Sequence, residues 1–182
     1  MSLTPPSDAE LLIKTKRLTL EPVLAIHAAE MIRVLADKKL YHYIPQDPPE
    51  LEKLKKTYEF WESRISQEKD ELWLNWVARW NETNQLIGHF QSGFKEPMDC
   101  SVAYTVGSEF QRQGFAIEAL RAIFAFLNHS LDTKVIKAWI DTRNTASIHL
   151  VKKLKMKQVE LIKKADHFKG KDSDEFVFQI DF

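Results

Sequence analysis

Apolar and polar residues alternate near the start of the chain. Leu18 and Leu20 lie between Arg17, Thr19 and Glu21, which predicts a half-buried strand over residues 17–22. The period then lengthens, predicting helices over 25–36 and 50–68. Between them YHYIPQDPPE, residues 41–50, carries three prolines and no periodicity, so it reads as a loop. In LWLNWVARW, Leu72, Leu74, Trp76, Ala78 and Trp80 share one strand face, and Trp73, Asn75, Val77 and Arg79 share the other. The turn NETNQ joins this strand to LIGHFQSGF as an antiparallel hairpin. A strand over 101–106 ends at Gly107. Helix (114–128), strand (134–141) and helix (145–155) follow, then strands over 158–163 and 175–180. The polar segment KKADHFKGKDSDEF between the last two reads as a hairpin loop. A meander of strands followed by strand, helix, strand implies an α/β fold with a mixed sheet.

Composition narrows the partners. The chain has 182 residues, 44% hydrophobic and 11% aromatic, enough to bury a core, and we expect one domain over 1–182. Twenty-six basic and 26 acidic residues cancel, which argues against a general nucleic-acid or anionic-membrane binder and for a small-molecule partner. No internal repeat and no run of 18 apolar residues occurs, and MSLTPPSDAE lacks a signal peptide's basic and apolar regions. The one cysteine, Cys100, permits no internal disulfide and suits a reducing compartment, so a cytoplasmic location is expected. Residues 1–10 are expected to fray and to be in part a remnant of expression.

Candidate chemistry enters at EFQRQGFAIEAL, residues 109–120. Gly114 stands between a strand and a strongly apolar helix in a chain of only five glycines. The first amides of a helix lack intrahelical acceptors and lie at the positive end of its dipole, so a phosphate or diphosphate fits there. A glycine lets the anion approach the backbone, and Ala116 keeps the first turn slim. Ala116, Leu120, Ile123 and Leu127, with Ile117 and Phe124, form the face that anchors this helix on the sheet. A lone glycine before a helix can also serve only the turn.

The surrounding pattern distinguishes the two. Gln111-x-x-Gly114-x-Ala116, continued by Glu118-Ala119-Leu120, resembles the acetyl-CoA diphosphate loop of the GNAT N-acetyltransferases. Asn144-x-x-Ser147 and then LVKKLKM follow at the spacing of the branch that contains the ribosomal-protein N-terminal acetyltransferases. The similarity covers about residues 86–160, with an R-L-T-L strand near the start. It implies a GNAT fold: a mixed, mostly antiparallel sheet of six to seven strands, central parallel strands splayed apart, and about four helices. It also implies acetyl-CoA as cosubstrate, with no metal. Pantetheine would lie along Tyr104, Thr105 and Val106. Gln111, Arg112, Gln113, Gly114, Phe115 and Ala116 would hold the diphosphate, Asn144 and Ser147 would meet the pantetheine and thioester, and Lys153 or Lys152 would meet a phosphate. Ser147 would serve the departing thiolate, and aromatic residues of the YHYIP loop would floor the acceptor groove. The function implied is direct acetyl transfer to an amine, whether a protein N-terminus or a small molecule, with no nucleic acid or membrane partner and an open oligomeric state.

The chain departs from this family in two places. Many relatives carry a strand glutamate near the position of Ser101, where it acts as a base through water. Here Asp141 is the preferred candidate, with Glu109, Asp99, Glu96, His89 and His42 behind it. With a weak base, the amine's own pKa matters. Deprotonation at pH 7 costs about 1.4 kcal/mol for an α-amine of pKa about 8, and about 4.6 for a lysine of pKa about 10.4. A weak base therefore favours an α-amine. The missing glutamate also keeps an alternative open, a catalytically silent acyl-CoA-binding or interaction domain. The second departure is Lys155-Met156 in place of Gly-Phe: the lysine either takes the costlier left-handed conformation or the helix ends differently, so altered local geometry is expected, with Met156 filling the aromatic's site. Cys100 reads as a buried, inert thiol rather than a nucleophile.

Overall fold

The computed structural model describes residues 5–68, 71–96 and 98–182. Helix α1 (Asp8–Leu11) and the two-residue strand β1 (Ile13–Lys14) precede β2 (Leu18–Pro22). A 3₁₀ turn at Ala25–His27 opens α2 (Ala28–Val34), a second spans Lys38–Tyr41, and α3 covers Leu51–Glu62. Strands β3 (Leu72–Trp80), β4 (Gln85–Glu96) and β5 (Asp99–Val106) make the meander. Then come α4 (Phe115–Leu131), β6 (Val135–Asp141), α5 (Thr145–Lys153), β7 (Lys157–Phe168) and β8 (Lys171–Asp181). The strands form one sheet in the order β1-β2-β3-β4-β5-β6-β8-β7. Only β5 and β6 run parallel, joined by α4; every other neighbouring pair is antiparallel.

The alternation in β3 assigns its two faces as expected. On one, Trp76 meets Phe126 of α4 and Trp80 meets Phe115, while Phe90 and Tyr104 continue the layer onto β4 and β5. On the other, Trp73 meets Phe60 of α3, and His89 sits beside Tyr58 and Trp61. The sheet is thus covered on both sides, and Trp76, Phe90, Tyr58, Leu74 and Leu120 are buried. Gly88 lies at the centre of this sheet, where a Cβ would come within 2.3 Å of the Thr105 carbonyl oxygen. Among the described residues no helix is long and apolar enough to cross a membrane.

Four features differ from the sequence-based expectations. Where fraying is expected, Ser7 and Glu10 form a capping box that starts α1, and Leu11 is fully buried; residues 1–4 lie outside the described residues. With α1 and β1 the described residues hold five α-helices and eight strands. Helix α3 stops six residues earlier than its pattern predicts, because Arg64 turns left-handed (φ 58°) and Ile65 bridges to Leu72. Finally, β7 and β8 run almost to the hairpin tip, where Lys169 and Gly170 both have positive φ (51° and 74°) in a two-residue turn.

Candidate active site

The parallel β5–β6 ladder lasts for three pairs, Asp99–Val135 to Ser101–Lys137, and then stops. Beyond it the edge of β5 from Val102 to Val106 has no strand partner on that side. A groove of about 570 Å³ opens in this gap. Tyr104, Thr105 and Val106 form one wall. The loop into α4 supplies Gln111, Arg112, Gly114, Phe115 and Ala116, and α5 supplies Asn144, Ser147 and Lys153. Eleven of the twelve residues expected to meet the cofactor therefore line one groove.

Gln113 is the exception. Its Nε2 donates to the Glu109 carbonyl at 2.8 Å and its own carbonyl accepts from Arg17, so the side chain is turned to solvent.

The loop is preorganised for an anion. Arg112 (φ 61°) and Gly114 (φ 84°) are both left-handed, which makes a tight turn into the helix. No side chain caps α4, so its first amides remain available. Gln111 Nε2 donates to the Val106 carbonyl at 3.0 Å and ties the loop to the end of β5. From behind, Arg17 holds the same loop. Its Nε donates to Glu118 at 2.7 Å, its Nη1 donates to the Gln113 carbonyl at 2.9 Å, and its guanidinium lies 4.4 Å from the Phe115 ring centre. Burial would raise the Glu118 pKa, but hydrogen bonds from Thr15 and Arg17 outweigh it and hold the carboxyl below its usual range. Glu118 thus faces β2 and its preceding turn, leaving the helix end free for a ligand's charge.

At α5 the roles divide. Asn144 Oδ1 accepts from the Ser147 amide at 3.1 Å, so Asn144 is the cap and the Ser147 hydroxyl is not needed for one. The opposite wall carries Tyr43 and Ile44 of the YHYIP loop, the stretch expected to floor the acceptor groove, and Lys39, which sequence reasoning missed. The loop that bears them is held by Lys169, whose ammonium donates to the carbonyls of Tyr41, Ile44 and Gln46 at 2.5, 3.0 and 3.1 Å. The proline-rich, aromatic YHYIP stretch was the available signal for Tyr43 and Ile44, but nothing in the sequence singles out Lys39. With Arg112 and Lys153 it places cations on three sides of the groove, which suits a polyphosphate.

Asp141 does not join this constellation. Its buried carboxylate accepts from the Arg143 amide (2.8 Å), Arg143 Nε (2.9 Å) and Nη2 (2.5 Å), and Ser173 Oγ (2.7 Å). Burial would raise its pKa, but these bonds hold it below the ordinary carboxylate range. A carboxylate so engaged clasps the end of β6 to β8 and is a poor proton acceptor. The other base candidates also lie away from the groove lining. Asp99 pairs with Lys137 at 2.5 Å, Glu109 and His42 are exposed, and the Glu96 side chain lies outside the described residues. His89 is bonded through Nδ1 to the Tyr58 hydroxyl at 3.1 Å, and burial pushes its pKa down to about 4. Ser101 is exposed and donates to the Gly93 carbonyl. Cys100 is fully buried and its thiol is pushed up to about 12 by burial, so it is inert. No group of acidic, histidine and cysteine side chains among the described residues could hold a metal ion.

A glycine-led, uncapped helix beside an open strand edge and a splayed parallel pair makes a groove whose shape and charge suit a long phosphate-bearing ligand. The family model for the GNAT acetyltransferase domain matches residues 17–157. The chain belongs to that family and is an acetyl-CoA-dependent N-acetyltransferase. No curated protein matches the sequence. Among solved structures it resembles RimL, a ribosomal α-N-protein acetyltransferase in complex with coenzyme A. That match has a TM-score of 0.83 and 17% identity over 94% of this chain and 98% of that one. A GNAT acetyltransferase from Bacillus anthracis gives 0.81 and 18% over 93% and 98%. An acetyltransferase from Salmonella typhimurium that modifies the N-terminal serine of a 50S ribosomal subunit protein gives 0.80 and 16% over 92% and 96%.

Proposed function

We propose that the enzyme acetylates an α-amine or another amine of low pKa, as the ribosomal-protein N-terminal acetyltransferases do, and that it acts in the cytoplasm on a protein N-terminus. The observation that carries this reading is the chemistry of the groove wall. Among the described residues its ionisable side chains are Lys39, Tyr43, Tyr104, Arg112, His149 and Lys153, with no carboxylate. Such a wall neutralises phosphates well and abstracts protons poorly. The roughly 3 kcal/mol difference between deprotonating an α-amine and a lysine then falls on the acceptor itself.

In this reading coenzyme A enters with its diphosphate on the amides that follow Gly114, and its pantetheine bonds the free edge of β5 through Tyr104, Thr105 and Val106. Arg112, Lys39 and Lys153 neutralise phosphate charge. Asn144 receives the pantetheine amides and Ser147 meets the sulfur. The acceptor approaches from the wall formed by Tyr43 and Ile44. Its neutral nitrogen attacks the thioester carbonyl, and the oxyanion that forms is held by backbone donors at the splay. The ribosomal substrates of RimL and of the Salmonella enzyme support the N-terminal acceptor class.

Release of free thiol from acetyl-CoA tests this directly. A peptide with a free α-amine is compared with the same peptide blocked there and bearing lysine. Turnover confined to the free α-amine is expected, preference for the lysine would overturn the acceptor class, and binding without thiol release on any amine would favour a silent acyl-CoA-binding domain.

A further inference from the structure

One polar atom in the groove has no role in the reaction as described so far. Tyr104 stacks on Phe90, with 6.3 Å between ring centres, and its hydroxyl is closed off from solvent without a hydrogen-bond partner. A buried hydroxyl with no partner is destabilising, and such groups are rare in folded proteins. Across the splay stands Ser147, whose amide is already satisfied by Asn144. The Ser147 hydroxyl is also the side-chain group that acts on the phenol, opposing the upward push of burial on its pKa. Tyr104 and Ser147 line the same groove, one from β5 and the other from α5.

A serine hydroxyl rotates about its Cβ–Oγ bond, so a donor occupying one of its lone pairs decides where its own hydrogen points. We propose that Tyr104 is a positioning residue: when coenzyme A binds, its hydroxyl donates to Ser147 Oγ and directs the Ser147 hydrogen at the thioester sulfur. The inference rests on the acetyl-transfer reading above. As the tetrahedral intermediate collapses, the C–S bond breaks and its electron pair goes to sulfur. Ser147 passes its hydrogen to the sulfur and takes the one leaving the amine nitrogen, so the products are an amide and a free thiol and Ser147 is restored. Tyr104 stays neutral throughout.

Tyr104→Phe removes the oxygen and keeps the ring. We expect kcat to fall about tenfold with KM for acetyl-CoA within about twofold, and the same change in a Ser147→Ala background to have no further effect. A second measurement needs no turnover. With coenzyme A bound, the melting shifts of the two single variants should fail to sum to that of the double variant by about 2–4 °C. Unchanged kcat in Tyr104→Phe, an equal loss in the Ser147→Ala background, or additive melting shifts would each overturn the proposal. Wild-type protein that releases no thiol with any amine would sink the acetyl-transfer reading instead, and the melting cycle would still decide the contact.

Discussion

Single residues show how a departure from the family pattern is accommodated. Lys155 stands at the end of α5 in the left-handed region (φ 67°) that glycine normally occupies. The bonds of a full C-terminal motif form around it: Lys155 N donates to Lys152 O at 3.0 Å and Met156 N to Val151 O at 3.1 Å, while Met156 is buried. The sequence left two outcomes open, and the strained lysine is the one realised. Lys155→Gly should therefore raise stability by about 1 kcal/mol, read as a melting temperature higher by about 2–4 °C. Asp141 carries the opposite lesson. Its carboxyl was legible as a candidate base, but its hydrogen-bond partner Ser173 lies 32 residues downstream and only the fold brings them together. Asp141→Asn should cost about 1–3 kcal/mol of stability and leave the acidic limb of the kcat/KM profile in place. A vanished limb in an intact fold would restore Asp141 as the base.

At the scale of elements, the cofactor loop is held from outside the groove. Arg17 on the segment before β2 couples that strand to α4 through Glu118 and to the loop through the Gln113 carbonyl. Arg17→Met should raise KM for acetyl-CoA about tenfold with kcat within about twofold, measured by thiol release. Gly88 on β4 supports the same groove from below, since a side chain there would push the Thr105 carbonyl out of place. Gly88→Ala should lower stability by about 1–3 kcal/mol and weaken coenzyme A binding, as melting and titration would show. Elements with clear periodicity, β3 and α4 above all, were legible because one face of each is buried. The outer part of the β7–β8 hairpin was not. The side chains of β7 are exposed along almost its whole length, and residues such as Lys163, Lys164 and Asp166 are tolerated on an edge strand that read as a loop. Lys39 on the far wall was hidden for a related reason: the loop that follows it is held by Lys169, a contact spanning more than 120 residues of sequence.

Across the whole molecule, balanced charge masks a local asymmetry. Lys39, Arg112 and Lys153 surround the groove although the chain is neutral overall. The sheet that carries the groove also contains an acid-sensitive point. Burial holds His89 neutral in the folded protein, with a pKa near 4 against about 6.5 unfolded. The unfolded chain takes up this proton first, so stability is unaffected above about pH 6.5, declines as pH falls toward 4 and levels off below. About 3 kcal/mol should be lost over that window. Denaturant titrations at pH 8 and pH 5 should show a smaller loss for His89→Gln than for wild type. All of the functional reading depends on the glycine-led end of α4 as the diphosphate site, and calorimetric titration of coenzyme A against wild type and Gly114→Glu tests it most directly. Saturable binding by the wild type and none by a variant of unchanged circular dichroism is the predicted result; equal affinity in the two proteins would contradict it.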